Sequence, residues 1–150
     1  MKVKVIAIGN VLMEDDGIGI KVLEKIKDKL KDKNIEVIIG ETDAEYCISQ
    51  IEDGDFIFII DASCNEKPPG TITVVDLKNY SYKRKYYTQH NYNAADLIKL
   101  YNKSITGFVI EIEVSSVSFN FGLSLELQKK LDQISNQVLK NILSKVESCE

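Results

Sequence analysis

The run FIFIID, residues 56–61, is apolar at five successive positions and closes on an aspartate. A strand that faces water on one side alternates apolar with polar; this one does not, so both of its faces must be covered. That requirement directs the chain toward an α/β architecture, and the neighbouring segments agree. KVKVIAI (2–8) reads as a buried strand, and from Gly17 the period changes so that Val22, Leu23, Ile26 and Leu30 share one helical face. IEVII (35–39) is a second strand, and TDAE (42–45) has capping-box spacing, Thr42 to Glu45, opening a short helix through Ile51. TITVVDL (71–77) and GFVIEIEV (107–114) complete about five strands. A polar, tyrosine-rich loop over 78–90 leads to a helix with Ala94, Leu97, Ile98 and Tyr101 on one face. The last helix starts near Ser124 and carries a stripe of Leu127, Leu131, Ile134, Val138, Ile142 and Val146. The expected fold is a three-layer α/β domain spanning 1–150, with a mostly parallel twisted sheet and helices on both faces.

Charge and residue counts exclude several functions. A net charge of −4 gives no attraction to nucleic acid or anionic membrane, and Arg84 is the sole arginine, so bidentate phosphate or base readers are lacking. No apolar run nears the ~18 residues of a membrane span, and the amino terminus lacks a cleavage-like site, which predicts a cytoplasmic protein. The three cysteines, Cys47, Cys64 and Cys149, form no CxxC pair, so neither a disulfide framework nor a zinc knuckle is expected. The single histidine, His90, excludes HExxH and multi-histidine zinc sites.

Chemistry concentrates where strands end. GNVLMEDDGIG (9–19) places Asp15 and Asp16 side by side as the first strand hands over to a helix. A carboxylate there can cap the helix, which stabilises by about 0.5–2 kcal/mol. Capping needs one acid; the second adds repulsion unless a cation or donor compensates, so Asp16 is a candidate ligand. Asp61 is either a turn-former or a carboxylate aimed into the crevice beyond the strand ends, where open α/β sheets bind ligands. His90 lies in the polar stretch TQHNYN, as a surface histidine or as a third member of the rim. One histidine with two carboxylates makes an O/N set suited to nickel, manganese, iron or zinc. The glycines do not form GxGxxG, there is no Walker lysine motif, and Ser63 and Cys64, which could pair with His90 in a hydrolase, lie outside a GxSxG elbow. YKRKYY (82–87) reads as a solvated loop in an acidic chain.

GNVLMEDDGIG resembles the amino-terminal signature of the nickel–iron hydrogenase maturation endopeptidases, G-N-x-L-x-x-D-D/E-G/A-x-G, at Gly9, Asn10, Leu12, Asp15, Asp16, Gly17 and Gly19. IIDAS (59–63), PPGTI (68–72), QHNYNAADLI (89–98) and FGLS (121–124) continue the likeness in the family's order. The resemblance implies an endopeptidase that removes the carboxyl-terminal extension of a [NiFe] hydrogenase large-subunit precursor after nickel insertion, past the last cysteine motif and a His or Arg. It puts the catalytic and metal-contacting roles on Asp16, Asp61 and His90, with the nickel arriving in the substrate. Asp15 is then the orienting or capping acid. A non-catalytic nickel-binding assembly factor docking on the same subunit is the alternative. Glu14, where the family has a small, polar or basic residue, and GETDAEY (40–46), in place of a glycine-rich turn, depart from the pattern.

Overall fold

The computed structural model describes residues 2–80 and 104–149. The helix expected around Ala94–Tyr101, the 81–90 part of the loop before it and His90 lie outside the described residues.

Strands β1 (Val3–Ile8), β2 (Glu36–Glu41), β3 (Phe56–Ser63), β4 (Ile72–Asp76) and β5 (Thr106–Glu113) form one sheet in the order β2-β1-β3-β5-β4. β1 pairs parallel with β2 and β3, and β3 parallel with β5; β4 runs antiparallel on the edge. Only residues 64–71 join β3 to β4. A parallel crossover takes a dozen residues or more, so so short a link returns β4 in the opposite sense.

Every residue of β3 is buried, as the unalternated sequence requires. Phe58, Ile60 and Ala62 join Val5, Ala7, Ile110 and Ile112 on one face, under α1 (Ile18–Asp32) and α3 (Leu125–Ser148). Ile57 and Ile59 join Ile6, Ile8, Ile38 and Val109 on the other, against Cys47 and Ile48 of α2 (Ala44–Ser49) and Leu77 and Tyr80. In α1, Ile18, Ile20, Val22 and Ile26 are β-branched and mildly disfavour a helix, by roughly 2 kcal/mol in sum. Burying them with Leu23 and Leu30 gains roughly 10 kcal/mol before entropy, so packing decides the conformation. The helix ends where Asn34 turns left-handed, φ +61, and the Ile35 N–H donates to the Leu30 carbonyl at 3.0 Å.

The short helix departs in detail from the capping-box reading. Asp43, not Thr42, is its N-cap, with Oδ1 accepting from the Tyr46 N–H at 2.9 Å, and the helix stops at Ser49. The carboxylate one residue downstream reaches the exposed first-turn donor and displaces the threonine hydroxyl from that role.

At the amino-terminal edge of the sheet, Lys4 is buried on β1. Its ammonium donates to Asp55 Oδ2 and to the Gln50 carbonyl, both at 2.7 Å. Burial works to raise the Asp55 carboxyl, but hydrogen bonds from Lys4 and the Glu52 N–H, with the charges of Lys4 and Lys2, outweigh it and hold the group below its ordinary 3.8. A lowered folded value contributes stability that is complete above about pH 4 and is lost as pH falls through the folded value. Acid unfolding followed by circular dichroism is therefore expected to lose stability below pH 4 more steeply in the wild type than in Asp55→Asn, whose residue 55 does not titrate. Parallel curves from pH 5 to 2 would remove this pair from the acid response.

Candidate active site

The chain leaves β1 toward α1 and β2 on one side, and returns through α2 to β3 on the other. The carboxyl ends of β1 and β3 thus flank the point where strand order reverses, the position at which open α/β sheets receive ligands. Asp16 follows β1 in a 3-10 turn, Glu14–Gly17, that packs against β3. Asp61 lies in β3, one residue beyond the Ala7–Ile60 register pair. Both are buried, at 7% and 3% exposure, so neither is an ordinary surface acid.

Two glycines set this geometry. Gly9 has φ +148, and a Cβ there would stand 2.2 Å from the Asp16 carbonyl oxygen, so the turn carrying Asp16 closes on bare backbone. A Cβ at Gly19 would lie 2.7 Å from the Ile60 carbonyl, so the start of α1 sits directly on the strand that carries Asp61.

The three successive acids diverge. Glu14, with φ +44, accepts from the hydroxyls of Ser116 and Ser118. Asp15, fully buried, accepts from the Ser115 and Ser116 N–H groups at 2.9 Å and from the Ser124 N–H and hydroxyl at 2.8 Å. Asp16 faces back, with Oδ2 accepting from the Asn10 N–H at 2.9 Å, while Asn10 Oδ1 accepts from Leu12 N–H. The capping alternative for Asp15 at the helix it precedes is corrected here. The N-cap of α1 is Gly17, which has no side chain, and Asp15 instead braces Ser124, the N-cap of α3, whose hydroxyl accepts from the Leu127 N–H. Donors from residues 115–124 compensate the like-charge repulsion that the motif raises.

Sequence reading passed over Glu111 and Glu113. Both share a sheet face with Asp61, and Asp61 is the register partner of Glu111. The available signal was two acids at period two near the end of an apolar strand. Glu113 is buried and accepts from the Ser63 hydroxyl at 3.1 Å and from the Asn65 N–H with both oxygens, at 3.0 and 2.9 Å. Ser63 is thereby a tie in the turn after β3. Cys64, next to it, is exposed, and the other cysteine outside the tail, Cys47, is buried with its thiol pushed up to about 11, first by burial and then by Asp43, which keeps it a protonated core residue.

Asp16 and Asp61 are brought to one rim; His90 lies outside the described residues. Carboxylate oxygens there suit a divalent cation or, as general bases, an activated water. Among the described residues no group of three His, Cys, Asp or Glu side chains is arranged to hold a metal ion. No described helix is long and apolar enough to cross a membrane.

Known proteins share this frame. Residues 20–141 match the HycI hydrogenase maturation protease family. A Methanocaldococcus jannaschii protein, provisionally described as a hydrogenase maturation protease, is 31% identical over 145 residues, 92% of this chain and 94% of that one. The fold is similar to that of the hydrogenase maturating endopeptidase HybD from E. coli, with a TM-score of 0.75, 19% identity, and 97% and 94% of the two chains covered. It is also similar to that of the [NiFe] hydrogenase maturation protease HycI from Thermococcus kodakarensis, with a TM-score of 0.74, 15% identity, and 93% and 90% covered. With four-fifths of its length matched by the family model, the chain belongs to the hydrogenase maturation proteases, a family of peptidases.

Proposed function

We propose that this protein is an endopeptidase that removes the carboxyl-terminal extension of a nickel-loaded [NiFe] hydrogenase large-subunit precursor, reading the nickel through Asp16, Asp61 and His90. The observation that carries the reading is the pair of buried carboxylates, Asp16 in the turn after β1 and Asp61 near the carboxyl end of the adjacent parallel strand β3, in a chain of this family. The nickel belongs to the substrate. Two carboxylates and one imidazole form an incomplete shell for a divalent ion, so the enzyme binds tightly only where the precursor contributes ligands of its own. That makes metal loading a condition of cleavage. Three unpaired cysteines fit a reducing compartment, and the reaction is assigned to the cytoplasm.

Intact-mass analysis of the precursor, incubated with this protein with and without nickel, tests the reading. The expected result is loss of one carboxyl-terminal peptide from the nickel-loaded precursor alone. Binding without cleavage would favour the assembly-factor alternative, and equal cleavage of both forms would remove the metal gate.

A further inference from the structure

Five large hydrophobic side chains stand exposed among the described residues, and four of them, Leu12 (47%), Phe119 (84%), Phe121 (71%) and Leu125 (73%), belong to one pair of loops and the helix start that follows. The loops are joined by backbone. The Asn120 N–H donates to the Leu12 carbonyl at 2.9 Å, and the Glu14 N–H donates to the Asn120 carbonyl at 3.0 Å. Lys21, in α1, places its ammonium 5.7 Å from the centre of the Phe121 ring. The patch therefore borders the turn that carries Asp16.

Nothing about folding calls for these side chains. A phenylalanine at 84% exposure contributes almost no core burial, and two of them on one loop favour aggregation unless something covers them. Nor is the patch a frayed end, because Asp15 and Glu14 tie the same loop down through Ser115, Ser116, Ser118 and Ser124. A held surface with aromatic anchors is the usual composition of a binding hot spot.

We infer that Leu12, Phe119, Phe121 and Leu125 form the docking surface for the folded body of the precursor protein, seating it so that its carboxyl-terminal segment crosses the Asp16–Asp61 rim. This rests on the endopeptidase reading above. Two observations select the occupant. The patch is continuous with the rim, where the scissile segment must lie. Its apolar area, roughly 500 Å², suits the centre of a contact that releases its product and falls short of the 1,000 Å² or more per side of obligate dimers.

The test is steady-state cleavage of nickel-loaded precursor by the wild type, by Phe119→Ser/Phe121→Ser and by Tyr46→Ser, which changes the remaining exposed large side chain, on α2. The double variant is expected to raise KM about 30-fold while kcat stays within about twofold. Tyr46→Ser is expected to leave KM unchanged. Both variants alter exposed side chains, and their unfolding curves serve as the check on folding. An unchanged KM in the double variant, with the wild type active, overturns the docking surface and leaves the endopeptidase reading standing. A wild type that neither binds nor cleaves the precursor overturns both. If sedimentation shows a dimer that the double variant dissociates, the patch belongs to a second copy of this chain and the proposal fails.

Discussion

Asp16→Asn is expected to lower kcat/KM for nickel-loaded precursor about 10³-fold, roughly 4 kcal/mol of transition-state stabilisation. The substitution is nearly isosteric, and the asparagine carbonyl can still accept from the Asn10 N–H that Asp16 Oδ2 holds at 2.9 Å. What it removes is the negative charge. A carboxylate that meets a divalent ion or a developing positive charge in a dry crevice acts through that charge, and an amide of the same shape cannot replace it. Asp61→Asn is expected to behave alike, since its Oδ1 accepts from the Ala62 N–H at 2.8 Å and an amide oxygen can keep that bond. Ser63→Ala and Cys64→Ala are the contrast. Ser63 is occupied by Glu113 and Cys64 is exposed, so each is expected to retain activity within about threefold. Quantifying released peptide under single-turnover conditions separates these cases. An Asp16→Asn enzyme retaining a tenth of wild-type activity would sink the assignment, and loss in Cys64→Ala with activity kept in Asp16→Asn would move catalysis to the thiol.

The elements that bury apolar surface at a regular period were legible without coordinates. The unalternated run at 56–60 required cover on both faces, and the stripe from Leu127 to Val146 marked the long helix, because burial leaves its period in the sequence. The direction of β4 was recoverable only from loop length, since an antiparallel edge strand and a parallel one carry the same residues. At the candidate site, Asp16 could be set after the first strand and Asp61 late in the central one from sequence, and topology explains why the carboxyl ends of β1 and β3 adjoin. The division of labour among Glu14, Asp15 and Asp16 was not legible. It depends on Ser115, Ser116, Ser118 and Ser124, which are a hundred or more residues distant and meet the acids only after β5 is laid beside β3. Long-range hydrogen bonds of this kind leave no periodic trace. The capping-box misreading at Thr42 has a more local cause: two adjacent residues can both cap, and backbone angles choose between them.

Asp15→Ala is expected to be the most destabilising single change at the rim, by about 3–5 kcal/mol, which for a chain of this length lowers Tm by about 10 °C or more. The carboxylate is fully buried and accepts four hydrogen bonds from the Ser115, Ser116 and Ser124 N–H groups and the Ser124 hydroxyl. Removing it leaves donors on the loop between β5 and α3 without an acceptor, each at roughly 1–3 kcal/mol where water does not reach. Water entering beside the exposed serines repays part of that loss, which keeps the total below the simple sum. Ser124→Ala alone is expected to cost about 1 kcal/mol, since it removes the N-cap of α3 and one of the four bonds. The two changes share a partner, so Asp15→Ala/Ser124→Ala should destabilise by less than their sum, with a coupling of about 1 kcal/mol. Urea denaturation of the four proteins gives the cycle directly. If Asp15→Ala lies within 1 kcal/mol of the wild type, the buried bonds do not hold the loop. If the two changes simply add, Asp15 and Ser124 act independently and the brace between the first turn and α3 is absent.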